Sequence, residues 1–200
     1  MTNILVLSGH PRPNSFTEQL SKAYVEGAQA AGHQTSLMML HQLEIGHDPV
    51  APKPSHESWS SDLDRLWQHM LEADHIVIAH PLWWGSMPGE LKLLFDRLLV
   101  SGKAYSYEQG NAFPVGHLKG KTAEVIMTSD TPNWFYKIGY HSAQTQLMKN
   151  QILKFIGLKP IRFTHISPMR TMNEKQLKEK LNQTYQLGFS LKPQKQKSAA

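Results

Sequence analysis

A chain of 200 residues, 40% hydrophobic and 18% charged, is long enough for one domain with a real core and too apolar for wholesale disorder. It contains no cysteine, which excludes disulfides, thiolate metal sites and cysteine-based redox or nucleophilic chemistry. Of its net charge of +5, three lysines with no acid beside them lie in residues 191–200; no basic stripe with interleaved aromatics appears elsewhere, so no nucleic-acid partner is expected.

The elements then alternate. Ile4 to Ser8 is a β-type run, far too short for a signal-peptide core or a membrane span, so a cytoplasmic protein without membrane insertion is expected. Phe16, Leu20, Ala23, Tyr24, Gly27 and Ala31 recur at helical spacing until Gly32, and Thr35 to Leu40 reads as a second strand. Residues 41–58 hold three prolines and no clean period, which reads as a long loop. Leu63, Leu66, Trp67, Met70 and Leu71 form a second helical stripe, and His75 to His80 a third strand. Leu91, Leu94, Phe95, Leu98 and Leu99 line a third helix, with Pro88 and Glu90 suited to its first turn. Thr122 to Met127 is the fourth strand, a helix follows between His141 and Ile156, and Ile161 to His165 is the fifth strand. Leu177, Leu181, Tyr185 and Gly188 sit on the closing helix.

Five strands alternating with five helices predict an α/β three-layer sandwich whose parallel sheet is covered on both faces. Right-handed crossovers and a phosphate-suited loop after the first strand favour the flavodoxin-like order 2-1-3-4-5. Residues 1–190 read as a single domain and residues 191–200 as a disordered basic tail. The Gly-x-Gly-x-x-Gly of a dinucleotide-binding sheet is missing; Gly9-His10-Pro11-Arg12-Pro13-Asn14-Ser15-Phe16-Thr17 stands there instead.

Three loops at strand ends carry the chemistry. That nonapeptide joins a strand to a helix start, where unpaired N–H groups and the helix dipole favour a phosphate. Asn14, Ser15 and Thr17 add side-chain donors, and His10 and Arg12 positive charge; the plain alternative is a capped turn with Ser15 as N-cap. The second loop is Pro81-Leu82-Trp83-Trp84-Gly85-Ser86-Met87-Pro88, two large rings and free amides beyond a buried strand. That pairing suits a planar, heteroatom-rich ligand, and a flavin above all. The third loop is Thr128-Ser129-Asp130-Thr131-Pro132-Asn133-Trp134-Phe135-Tyr136, followed by His141. Its hydroxyls and amides suit a flavin pyrimidine edge, with Tyr136 and His141 as candidate proton donors.

Together these loops resemble the flavodoxin-like NAD(P)H:quinone oxidoreductases, the family that includes mammalian quinone reductase, bacterial modulator-of-drug-activity proteins and the ancillary flavoproteins of potassium efflux systems. The resemblance covers roughly residues 3 to 190 and extends through Leu91-Lys92, Phe95-Asp96-Arg97 and Gly102-Lys103-Ala104-Tyr105-Ser106-Tyr107. It implies a non-covalent FMN or FAD, NADPH or NADH as co-substrate, and two-electron transfer to a quinone-like acceptor in a ping-pong cycle. It implies that His10, Ser15, Phe16 and Thr17 hold the flavin phosphate and ribityl chain. Pro81, Leu82, Trp83, Trp84 and Gly85 would lie against the isoalloxazine ring, and Thr128, Ser129, Asp130 and Thr131 along its N1–O2 edge. Tyr136 matches the family's active-site tyrosine and His141 lies about one residue from its histidine. A homodimer is implied, with the Trp59 to Leu71 helix and the 41–58 loop near its interface; His47 stands before Asp48-Pro49 where relatives often have an aromatic. The alternative within the family is a flavin-bearing regulator in peripheral contact with a potassium efflux transporter.

The remaining chemistry-bearing residues read as structural. No histidine spacing makes a metal site, so no metal is expected. His80 reads as a structurally satisfied strand-end residue, and Trp59 and Trp67 as core or interface.

Overall fold

The computed structural model describes residues 1–46, 59–110 and 113–192. His47-Asp48-Pro49-Val50, the rest of the expected loop to Ser58, and tail residues 193–200 lie outside the described residues. No helix among the described residues is long and apolar enough to cross a membrane.

β1 (Asn3–Ser8) is buried from Ile4 onward, as a strand paired on both sides and covered on both faces must be. It pairs in parallel with β2 (Gln34–Met39) and β3 (His75–Pro81). Two short strands the sequence pattern did not reveal, β4 (Tyr105–Ser106) and β5 (Val115–Gly116), make a separate antiparallel ribbon. β6 (Thr122–Thr128) and β7 (Ile161–Ile166) complete the main sheet in the order β2-β1-β3-β6-β7. Counting only its five strands, that is the expected order 2-1-3-4-5.

Side chains alternate across each strand, so two cores form. Ile4, Val6, Val77, Ala79 and Ile126 pack with Leu20 and Tyr24 of α1 (Phe16–Ala30). Leu5, Leu7, Ile76 and Ile78 pack on the other face with Leu63, Leu66, Trp67 and Met70 of α2 (Ser61–Glu72) and Leu91, Leu94 and Leu98 of α3 (Gly89–Leu98). Trp67 is buried there and Trp59 leans on it, ring centroids 6.1 Å apart.

The single helix expected between His141 and Ile156 is instead a broken run. α4 (Asn133–Ile138) and α5 (Ala143–Gln146) lead into a π-helical segment, Leu147–Leu153. α6 (Glu174–Phe189) opens with a capping box between Asn173 and Gln176, which satisfies its first amides and starts it before the first periodic leucine. α6 lies directly on α1: a Cβ at Gly27 would sit 2.0 Å from the Tyr185 carbonyl oxygen, and one at Gly188 2.2 Å from that of Tyr24. The two helices therefore touch backbone to backbone, and only glycine fits at either point.

Two strand histidines are buried and neutral. His75 Nδ1 lies 2.6 Å from Thr122 Oγ1, its ring stacks on Tyr24, and burial pulls its pKa down to about 3. His80 is held near pKa 4 by complete burial. Its Nδ1–H donates to the Pro81 carbonyl, 2.9 Å away. The expectation of full satisfaction holds for Nδ1 only, since Nε2 has no partner among the described residues.

A candidate crevice at the strand ends

The register places Ser8 beside Ala79 and Pro81 beside Thr128, so the loops after β1, β3 and β6 leave the sheet at one level. Open α/β sheets bind ligands in this position.

In the first loop the cap and the free donors coexist. Ser15 Oγ accepts the Glu18 N–H at 3.2 Å, and Glu18 Oε2 accepts the Asn14 N–H at 2.9 Å. The amides of Phe16 and Thr17 have no acceptor among the described residues, as the first amides of a helix commonly do not, and such groups can bind an anion. His10 departs from expectation: burial first, then the Arg12 charge, lowers its pKa, so it brings no charge at neutral pH. Its Nδ1 accepts the Arg12 N–H at 3.0 Å, which leaves the neutral ring a donor at Nε2. The Phe16 side chain packs into the α1–α6 core, so only its backbone is available to a ligand.

The second loop is a two-residue turn. Trp83 and Ser86 exchange N–H···O bonds of 2.8 and 2.9 Å, while Trp84 (φ 50°) and Gly85 (φ 79°) both lie in the left-handed region. A bulky aromatic there is strained. The turn sends the adjacent tryptophans to different places. Trp83 meets the first loop, with His10 edge-on at 5.4 Å and the Arg12 guanidinium 5.5 Å from its ring centroid. These contacts tie the Trp83 ring to the first loop, beside the residues expected to hold the flavin phosphate. Trp84 is fully exposed at the crevice rim, and the Trp84 and Gly85 amides have no acceptor among the described residues. Pro81 is buried in β3, and the Leu82 N–H is taken by Thr128 O at 2.7 Å.

The third loop is tied outward, against expectation. Ser129 N–H donates to Ile166 O, Ser129 Oγ lies 2.8 Å from His165 Nε2, and Asp130 Oδ1 accepts the Arg170 N–H at 2.7 Å. Ser129 and Asp130 thus direct these groups to the β7 side rather than to the crevice. Thr128 Oγ1 approaches Thr17 Oγ1 at 3.5 Å, joining this loop to the first. Thr131 does line the crevice.

That crevice, about 600 Å³, is bounded by Leu82, Trp84, Gly85, Thr131, Tyr136 and His141, together with Gly139, Tyr140 and Ala143, which the sequence reading missed. Buried Tyr136 has its hydroxyl engaged: it accepts the Thr145 N–H and lies 2.9 Å from Thr145 Oγ1. With Thr145 Oγ1 as the donor in that second pair, the phenolic proton stays available to a ligand. His141 (φ 49°) and Ser142 (φ 53°) form a left-handed corner between α4 and α5, and the His141 ring is exposed.

The family model described as Flavodoxin-like fold matches residues 2–187. An uncharacterized NAD(P)H oxidoreductase of Haemophilus influenzae is 26% identical over 183 residues, covering 86% of this chain and 87% of that protein. FMN-dependent NADH:quinone oxidoreductase 2 of Pseudomonas putida is 25% identical over 189 residues, 87% of this chain and 92% of its own length. Among solved structures, the NAD(P)H:quinone oxidoreductase of Methanothermobacter marburgensis superposes with a TM-score of 0.79 at 21% identity, over 96% of this chain and 99% of that one.

Proposed function

The chain belongs to the flavodoxin-like fold family, and from that premise we propose that it is an FMN-dependent oxidoreductase passing two electrons from NADH or NADPH to a quinone-like acceptor. One observation carries the reading. A helix N-terminus with unclaimed amides, a turn with two more, and an aromatic-rimmed crevice of about 600 Å³ stand side by side at the strand ends. That donor set fits FMN. Phe16 and Thr17 amides would hold the phosphate, Trp84 and Gly85 amides would donate to the ring edge beside them, and the Thr131 amide to the pyrimidine side. When bound, FMN supplies the two-electron chemistry that no side chain here possesses. FMN is favoured over FAD because the Pseudomonas putida relative, and further relatives from Coprothermobacter proteolyticus and Ruegeria pomeroyi, are described as FMN-dependent.

The chain's own residues do the rest. Leu82 and Trp84 offer apolar contact to a flat ring, and Tyr136 offers a hydroxyl at its edge. His141 stands at the mouth as an exposed group able to exchange a proton with a departing product. Donor and acceptor would take the same seat in this crevice in turn, the arrangement that ping-pong kinetics require. Trp84 and Tyr140 of the crevice are exposed, as are Trp134 and Ile138 of α4, and a second copy of the chain covering this apolar surface would close the crevice in a homodimer. The test is steady-state turnover with NADH or NADPH and a soluble quinone. Parallel double-reciprocal lines are expected; a colourless protein that cannot be reconstituted with FMN sinks the reading.

A further inference from the structure

His165 sits near the carboxyl end of β7, paired with Met127 in the sheet register. Nothing in the sequence pattern marked it. Its Nε2 lies 2.8 Å from Ser129 Oγ and its Nδ1 3.3 Å from Asn133 Oδ1, while its ring meets Tyr136 edge-on at 4.7 Å. These three partners are the start of the β6–α4 loop, the first residue of α4 and the tyrosine in the crevice wall. One imidazole therefore spans the whole third loop.

The hydrogen-bond roles follow from the partners. An amide oxygen only accepts, so the proton sits on Nδ1, and Nε2 accepts from the Ser129 hydroxyl. The hydroxyl's other acceptor, Thr131 O, is more distant at 3.2 Å. Burial, reinforced by Lys137, lowers the imidazole's pKa and keeps it in this neutral form. The loop's remaining ties, Leu82 N–H to Thr128 O, Ser129 N–H to Ile166 O, Met169 N–H to Ser129 O and Arg170 N–H to Asp130 Oδ1, hold residues 128–130. Beyond Asp130 the Thr131 amide has no acceptor among the described residues, yet Thr131 lines the crevice.

We propose that His165 is a positioning residue: by holding Ser129, Asn133 and Tyr136 together it fixes the third loop so that the Thr131 amide faces bound FMN. This rests on the FMN reading of the crevice. A fixed donor at the N1–O2 edge interacts more strongly with reduced FMN, where negative charge gathers, than with oxidised FMN. Loosening the loop therefore costs reduced-state affinity more than oxidised-state affinity. A histidine that merely filled space would change folding stability, or both affinities equally.

The experiment is a titration of FMN into the full chain, oxidised and chemically reduced under anaerobic conditions, for the parent, His165→Ala, His165→Gln and Ser129→Ala. In His165→Ala the ratio of reduced to oxidised affinity should fall roughly tenfold, the scale of one hydrogen bond to a charged group. Ser129→Ala should lower the same ratio, and His165→Gln should recover part of it, because its amide reaches Ser129 from the Nε2 position. If His165→Ala does not fold, the other two variants decide the matter. An unchanged ratio in the folded variants, with a parent that binds FMN, overturns the role of His165 alone. A parent that binds FMN in neither state overturns the crevice reading and this inference together.

Discussion

Along α1, the last turn of the helix touches α6 backbone to backbone at Gly27, whereas its first turn leaves the Phe16 and Thr17 amides unclaimed. The tight half contains no group with an evident role in binding; the open half packs Phe16 and Leu20 into the core but leaves its first-turn amides open. The difference teaches where the rigidity of a binding site resides. Free donors are useful to a ligand only if they do not reorganise, and here the helix that carries them is locked some three turns away. β3 and β6 repeat the arrangement, with buried strands ending in turns whose amides are open.

The largest effect should come from breaking the locked half. Gly27→Ala places a methyl group where the Tyr185 carbonyl already stands, so α1 and α6 must separate. We expect a loss of about 3 kcal/mol, the upper end of overpacking, despite alanine's better helix propensity. Urea unfolding would read it, and a change within a few tenths would show that the helices can slide apart freely.

The locked half also predicts an acid-sensitive fold. His75 and His80 are held near pKa 3 and 4 by burial, below the unfolded value of about 6.5. Between those limits the unfolded chain binds protons that the native chain refuses. Stability is therefore full above about pH 6.5 and falls as pH drops toward 4, by up to about 3 kcal/mol for His80 alone. His80→Gln should flatten that limb of the stability curve; an unaltered slope would mean that His80 is not buried neutral.

At the open end the effects should be smaller and fall on function. Tyr136→Phe is expected to lower turnover roughly tenfold, about 1.4 kcal/mol, with FMN binding nearly intact. Rapid-mixing measurements of the two half-reactions would locate the loss. If both match the parent, the hydroxyl serves only to tie Thr145 of α5 to α4. Smaller still, Trp84→Ala should weaken FMN retention by about 1 kcal/mol. Trp67→Ala, in the core, should leave the affinity of the folded fraction unchanged. Equal losses in the two variants would remove Trp84 from the crevice wall.

Much of this division was legible in the sequence. Ser15 at a helix start, Pro81, Gly85 and Pro88 as punctuation, and the continuous apolar run of Ile4 to Leu7 located the sheet and two of the three loops. Other features escaped for physical reasons. Asn133–Ile138 is too short to show a helical period, and the π-helical turns of Leu147–Leu153 shift the spacing that a 3.6-residue search detects. Trp83 and Trp84 are indistinguishable as neighbours in sequence; only the left-handed turn sends one to His10 and the other to the rim. Ser129 and Asp130 read as ligand contacts because their polar groups were visible but no sequence pattern pairs them with Ile166, His165 and Arg170, which engage them. The fifth strand's place beside the fourth was itself predicted, so His165 at its end could have been named from topology.

The central claim is that the unclaimed amides at the first turn of α1, held in place by the α1–α6 contact, are a phosphate site. Comparing FMN with riboflavin, which differ only in that phosphate, tests it most directly. Titration of both into the purified chain should give FMN an affinity at least about a hundredfold higher, on the scale of two charge-assisted hydrogen bonds. Equal affinities would contradict the claim and return the loop after β1 to an ordinary capped turn.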